Sequence, residues 1–266
     1  MTKFDFVYTF HFREEDKNEA LIRLNKSISS LNLNQVNVCL MNCSKYCIRE
    51  FIPFNIKYEY VPTDFGINLY NRAFMVNESV KRMVTSEYFN LSDIDILYPK
   101  TFLRTMKDII NQSNERTRIV FHNHNMGNGN FNTYEDCKKE YDSCKDNLRS
   151  KTGPAIGLGI IHTETFKRIN GFDERFLGYG PEDKEFNFRI SRVCKYIDLD
   201  DAKVNTYHLW HMNNTPRINY RNNMRIWYYI KEHIERNNLV EVKSGSIPIP
   251  EIIYHQEGLN IKEIEL

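Results

Sequence analysis

The sequence lacks a charge imbalance, a long apolar run, an abundance of cysteine and any internal repeat, and each absence removes a class of protein. Its 36 Lys+Arg against 35 Asp+Glu leave a formal net charge of +1 with His neutral, so no global field would hold the chain to a phosphate backbone or an anionic bilayer. Nucleic acid is therefore not an expected partner. No window approaches the ~20 apolar residues of a membrane helix, and the opening stretch MTKFDFVYTFHFREED carries Asp5 inside its only apolar part. A soluble, unsecreted chain without a transmembrane segment is expected. Its 6 cysteines are too sparse for a disulfide scaffold, which points to reduced thiols. Cys39, Cys43 and Cys47 have neither CxxC spacing nor a nearby fourth ligand, which argues against a structural zinc. No composition break divides the 266 residues, and they read as one domain.

What is present is enough to build a core: 41% hydrophobic and 13% aromatic residues, with 17 Phe and 16 Tyr. Strand-like and helix-like signals alternate from the start, the mark of βαβ units and a mostly parallel sheet. Phe4 to Phe10 reads as a strand, and Ala20, Leu21, Leu24, Ile28 and Leu31 recur at helical spacing. Val36–Met41 and Ile56–Val61 read as further strands, Phe74–Met83 as a helix, and Tyr88–Leu91 as a strand leading into Ser92-Asp93-Ile94-Asp95. Pro99 opens a helix to Ile110. HNHNMGNGNFNT, from His122 to Thr133, reads as a polar loop. Tyr134–Arg149 is expected as a helix, Ile156–Ile161 as a strand, and Thr163–Ile169 as a short helix stopped by Asn170-Gly171. Pro181 fits the first position of a helix carrying Phe186, Phe188, Ile190 and Val193. Val204–Trp210 reads as a late strand, Ile218–Ile234 as a closing helix, and the Pro248/Pro250 stretch as an extended tail. The first ~90 residues have the form of a nucleotide-binding α/β half, because such sheets bind ligands at the carboxyl ends of their strands.

Three constellations can carry chemistry. Asp93-Ile94-Asp95 is a DxD at a strand end, where a carboxylate can hold a hard divalent ion against a diphosphate; two loop acids capping the next segment is the other reading. His208 and His211, in YHLWH, suit first-row ions such as Mn²⁺, although on a strand they face opposite ways unless the chain turns between them. Glu182-Asp183, flanked by glycine and proline, sits at a helix start. There a carboxylate is placed to take a proton from a sugar hydroxyl, or simply to complement the helix dipole. His122 and His124, in the polar stretch without an adjacent carboxylate, read as solvated surface.

In chain order these blocks resemble the catalytic domain of the metazoan β-1,4-galactosyltransferases and their GT-A relatives, over roughly residues 4 to 225. Phe10-x-x-Arg13-Glu14-Glu15 is similar to the family's PFRNREE, with Thr9 in place of its Pro. Tyr70-Asn71-Arg72-Ala73 resembles FNRA, Ser92-Asp93-Ile94-Asp95 resembles SDVD, and Ile169-Asn170-Gly171-Phe172 with Gly178-Tyr179-Gly180-Pro181-Glu182-Asp183 resembles INGF and GWGGED. The resemblance implies a single GT-A domain with a nucleotide half over about 1–98, an acceptor and metal half over about 99–240, and a tail over 241–266. It further implies a metal-dependent inverting transferase that uses a UDP-sugar of the galactose or N-acetylgalactosamine type and a glycan acceptor. Thr9, Phe10, Arg13, Tyr70, Arg72 and Asp93 would hold the nucleotide sugar. Asp95, His208 (where the family has Met) and His211 would hold Mn²⁺ or another divalent cation. Tyr179 (for Trp) and Glu182 would meet the acceptor, and Asp183 would be the base. Pro154 aligns near the family's donor-selecting position and matches none of its usual residues, so donor identity is open. The animal enzymes' membrane anchor and stem have no counterpart, from which a cytoplasmic enzyme is expected. A nucleotide-sugar-binding protein without turnover and a nucleotide-sugar hydrolase are the alternatives.

Overall fold

The run Phe4–Phe10 forms a strand, β1, in which every residue is buried, as a β-favouring sequence requires when both faces of a sheet are covered. The computed structural model describes residues 4–12, 14–62, 70–144, 158–199, 204–211, 219–251 and 253. After β1 the elements in chain order are α1 (Lys17–Ser29), β2 (Val36–Ser44), β3 (Lys57–Pro62), α2 (Arg72–Met83), β4 (Tyr88–Ser92), β5 (Ile96–Leu97), α3 (Phe102–Ile110) and β6 (Thr117–Asn125). They continue with α4 (Tyr134–Cys144), β7 (Gly159–His162), α5 (Thr163–Arg168), α6 (Glu182–Ser191), β8 (Lys195–Leu199), β9 (Asn205–His208) and α7 (Tyr220–Arg236). Among the described residues nine strands make one sheet in the order β3-β2-β1-β4-β7-β6-β9-β5, with β8 also paired to β6. The strands β1 to β4 run parallel, β7 is antiparallel to both β4 and β6, and β6 is parallel to β8 and β9. The expected α/β architecture with a mostly parallel sheet is the one that forms.

Alternation along β1 divides the core between the two faces of the sheet. Phe4, Phe6, Tyr8 and Phe10 join Leu21, Leu24 and Ile28 of α1 and Phe102 and Met106 of α3. Val7 joins Ala73, Val76 and Val80 of α2 with Phe166 and Phe186. Each large apolar side chain buried this way contributes ~1.5–3 kcal/mol, so β1 is held from both sides and its carboxyl end is rigidly aimed. The charge inside this strand is fully satisfied: Asp5 accepts hydrogen bonds from Thr85 N at 2.7 Å, Ser86 N at 2.8 Å and Asn37 Nδ2 at 2.8 Å. Burial alone would raise its pKa, but these donors together hold it below the ordinary carboxylate value.

Several elements depart from the sequence reading. His122–Asn125 is not loop but the end of β6, because its backbone pairs in register with Asn205–His208. Its histidines are correspondingly not solvated surface. His124 is buried with its ring 4.2 Å from that of Tyr141, and His122 Nε2 lies 3.0 Å from Asp198 Oδ1. Lys195–Leu199, which the sequence reading leaves unassigned, is a strand through pairing with Thr117–Phe121, with Ile197 and Leu199 on the core side. Pro181 caps α6 rather than opening it, and Glu182 is the first helical residue. The expected end of α4 at Arg149 and the expected start of β7 at Ile156 lie outside the described residues. Cys39, Cys43, Cys47, Cys137 and Cys194 are free thiols. No helix among the described residues is long and apolar enough to cross a membrane.

Candidate functional site

The carboxyl ends of β1 and β4 point to one end of the sheet, and there the sequence blocks converge. Beyond β4, Asp93-Ile94-Asp95 leads into β5, which pairs antiparallel with β9 so that Ile96 faces His208. Leu209 N donates to Asp95 O at 2.9 Å, which continues this pairing one residue beyond His208. The strand ends at His208, and beyond it the chain carries His211 to the same carboxylate. His208 Nε2 lies 3.3 Å from Asp95 Oδ1 and His211 Nε2 3.3 Å from Asp95 Oδ2, with the two rings 5.4 Å apart.

Asp95 is only 5% exposed, and its Oδ1 is buried without a well-aligned hydrogen bond. At this spacing the His208 contact is mainly electrostatic. Burial would raise the Asp95 pKa, yet the charge of His208, then of His211 and Arg23, holds it below the usual value. His208 is the mirror case: burial lowers its pKa and the Asp95 carboxylate outweighs that, raising it. Among the described residues these three form the one group suited to a metal ion, with ligand atoms all within 4.8 Å of one another. A buried oxygen lacking a donor, flanked by two imidazole nitrogens, fits a divalent first-row cation, for which carboxylate and imidazole are ordinary ligands.

Arg72 ties this group to the rest of the site. It is the first residue of α2, whose start is capped by Asn71 Oδ1 accepting from Phe74 N at 2.9 Å. Its Nη2 donates to Asp93 Oδ1 at 3.3 Å, its Nη1 lies 3.9 Å from Glu182 Oε1, and the guanidinium stands 5.8 Å from the Phe172 ring centre. Burial pushes the Glu182 carboxyl up to about 7; Arg72 opposes this, and Asp183 and Asp93 add to it. Asp183, half-buried, accepts from Lys184 N at 2.7 Å. On the β1 side, Thr9 Oγ1 and Tyr70 Oη are 3.3 Å apart, and the Tyr70 ring lies 5.2 Å from that of His11. Burial raises the Tyr70 phenol to about 12, so it remains a neutral hydroxyl at working pH. Phe10 falls on the core side of β1, its ring fully buried 5.3 Å from that of Phe12. Arg13 and Pro154 lie outside the described residues.

The loop that carries Tyr179 and leads to Glu182 is built from glycine geometry and clasped by α7. After α5, Asn170 and Gly171 take left-handed φ values of 58° and 59°, and a Cβ on Gly171 would meet Asn77 Oδ1 at 2.2 Å. Asn77 Oδ1 instead accepts from Phe172 N at 2.9 Å. Gly178 N donates to Tyr70 O at 2.8 Å, binding this loop to the segment that leads into α2. Asn223 of α7 donates to Leu177 O at 2.8 Å and Tyr179 O at 3.1 Å, an approach that needs Gly180, where a Cβ would lie 2.4 Å from the same amide nitrogen. The Tyr179 ring is half-buried, 5.8 Å from that of Tyr220.

One charged group at the site went unread in the sequence. Arg23 of α1 places Nε 4.0 Å from Asp95 Oδ2, and nothing local distinguishes it from an ordinary surface arginine on an amphipathic helix.

The family model described as the N-terminal domain of galactosyltransferase matches residues 137–211, the segment that carries Tyr179, Glu182, Asp183, His208 and His211. Among solved structures the chain is similar to S. aureus TarS 1–349, with a TM-score of 0.54 and 14% identity over 86% of this chain and 65% of that one. It is also similar to the same TarS 1–349 in complex with UDP-GlcNAc, with a TM-score of 0.55 and 14% identity over 86% of this chain and 66% of that one. To the structure of S. aureus TarS it is similar at a TM-score of 0.53 and 16% identity, covering 86% of this chain and 39% of that one. The chain therefore spans under two thirds of these relatives' lengths, and at these identities the likeness is one of fold. A sequence search of curated proteins gives no match.

Proposed function

We propose that this chain, a glycosyltransferase of GT-A fold, moves a sugar from a UDP-sugar to a hydroxyl of a glycan or glycoconjugate, with inversion and with a divalent cation. The observation that carries the reading is one line of contacts. His208 and His211 converge on Asp95, Asp93 two residues before it pairs with Arg72, and Arg72 faces Glu182 beside Asp183. A TarS structure solved with UDP-GlcNAc supports a nucleotide-sugar donor, and the family resemblance favours galactose or N-acetylgalactosamine.

In this reading Thr9, Tyr70, Arg72 and Asp93 hold the nucleotide sugar, a role the family resemblance also gives Arg13, and Phe10 anchors the strand end from within the core. Asp95, His208 and His211 would hold Mn²⁺ or another divalent ion, which when bound supplies positive charge against the departing diphosphate. Tyr179 offers an aromatic face and Glu182 a carboxyl to the acceptor sugar. Asp183 removes the proton of the acceptor hydroxyl, and that oxygen bonds to the anomeric carbon from the side opposite the diphosphate. The bond between the anomeric carbon and the phosphate oxygen breaks, and its electron pair leaves on the diphosphate. One displacement inverts the centre and needs no covalent enzyme intermediate.

The test incubates the protein with UDP-sugars and Mn²⁺, with and without glycan acceptors, and measures UDP release and product. Acceptor-dependent release that excess EDTA abolishes is expected. Release independent of acceptor would indicate hydrolysis, binding of UDP-sugars without release a non-catalytic binding protein, and undiminished transfer in EDTA would remove the cation.

A further inference from the structure

Arg23 stands at the edge of the Asp95 cluster with its donors unused. Its side chain is 17% exposed; Nε is 4.0 Å from Asp95 Oδ2 and Nη1 3.9 Å from Glu19 Oε2, and Nε is buried without a hydrogen-bond partner. Neither separation is a hydrogen bond, and a buried donor left unsatisfied is destabilising. A guanidinium serving only as the counter-ion of Asp95 would close to about 2.7–2.9 Å. Arg23 stops short, while His211 approaches the same Oδ2 to 3.3 Å.

The arrangement becomes more costly once Asp95 and the histidines hold a divalent ion, because Arg23 is then a cation beside a cation. An anion between them removes both problems: it satisfies the orphaned donors and neutralises the two charges together. Arg72 already spends its own charge on Asp93 at 3.3 Å and Glu182 at 3.9 Å, so among the described residues Arg23 is the guanidinium that brings an unsatisfied Nε to the Asp95 side. A planar fork with open donors suits the non-bridging oxygens of a phosphate group.

We propose that Arg23 is a substrate-binding residue for the diphosphate of the donor, reaching its oxygens from α1 while Arg72 faces the site from α2. This rests on the nucleotide-sugar reading above. Arg23 then also stabilises the charge that collects on the diphosphate as the sugar bond breaks.

The test titrates uridine and UDP, in saturating Mn²⁺, into the wild-type protein and into Arg23→Gln and Arg23→Lys, after checking that all three melt within a few degrees of one another. UDP affinity should fall about 10- to 100-fold in Arg23→Gln, the size of a lost charge-assisted contact, with an intermediate fall in Arg23→Lys and uridine affinity unchanged. Mn²⁺ titrated without nucleotide should bind Arg23→Gln as tightly as wild type or more tightly, because a repelling charge is gone. Unchanged UDP affinity in Arg23→Gln would overturn the assignment while leaving the nucleotide reading intact. Weakened Mn²⁺ binding without nucleotide would show instead that Arg23 merely positions Asp95. Failure of wild type itself to bind UDP would overturn the donor reading and this proposal together.

Discussion

At the scale of single residues, Glu182 and Asp183 are neighbours placed in different environments. Glu182 is held inward against Arg72 at 3.9 Å, with its carboxyl pushed up to about 7, while Asp183 is half-buried at the start of α6. If Asp183 takes the acceptor proton, Asp183→Asn should lower kcat about 10²- to 10⁴-fold. UDP and Mn²⁺ affinity should hardly change. A purely structural role for Asp183 would cost only ~0.3–1 kcal/mol of stability and leave turnover of the folded protein near normal. Kinetics and UDP titration on the same folded variant separate the two. Glu182 gives a pH signature of its own. Its folded value lies above the ordinary 4.5, so its contribution to stability is full below pH 4.5 and is lost as pH rises to about 7. Between pH 5 and 8 the wild type should lose about 1–3 kcal/mol more than Glu182→Gln does in urea unfolding. Equal losses would mean that Glu182 ionises normally.

At the scale of elements, the site depends on turns and pairings that bring distant strands together. The Asn170-Gly171 turn delivers Phe172 to the Arg72 guanidinium, and Gly171 combines a φ of 59° with a backbone crowded by Asn77 and Phe166. Gly171→Ala is expected to cost about 2–4 kcal/mol, combining left-handed strain with a clash at 2.2 Å. Denaturant midpoints measure this, and a change under 0.5 kcal/mol would mean that the turn relaxes freely. Pairing of β5 with β9 has the equivalent role for the metal-type group, since it seats His208 opposite Ile96, next to Asp95, and His211 just past the strand end reaches the same carboxylate.

At the scale of the whole molecule, one end of a continuous sheet gathers residues from β1, α1, α2, the β4–β5 link, the loop before α6, and β9. A ligand bridging so many elements should stabilise the fold as a unit. UDP at a hundredfold excess over its Kd, with Mn²⁺ present, should add ~2.7 kcal/mol and raise Tm by ~5–10 °C. Removing Mn²⁺ with EDTA should remove most of that gain, and a thermal-shift series over UDP, uridine and EDTA measures it. An equal shift with and without metal would count against joint binding.

Much of this was legible locally. The crowded β1, the spacing of Leu21, Leu24 and Ile28 in α1, and the Asn170-Gly171 stop follow from side-chain periodicity and backbone freedom, which act over a few residues. So does the existence of the acidic and histidine pairs. Other features depend on partners far along the chain. His122–Asn125 is polar enough to read as loop and becomes strand only because Asn205–His208 offers its backbone groups. Lys195–Leu199 likewise needs Thr117–Phe121. Whether His208 and His211 could share a ligand hinged on the pairing of β9 with β5, which ends beside Asp95, and the placing of Arg23 at the same carboxylate on how α1 packs over β1. The sequence by itself therefore determined which elements and reactive groups exist, because those are set by local chemistry. Tertiary structure alone decided which groups meet, because strand pairing and helix packing join residues that the chain keeps apart.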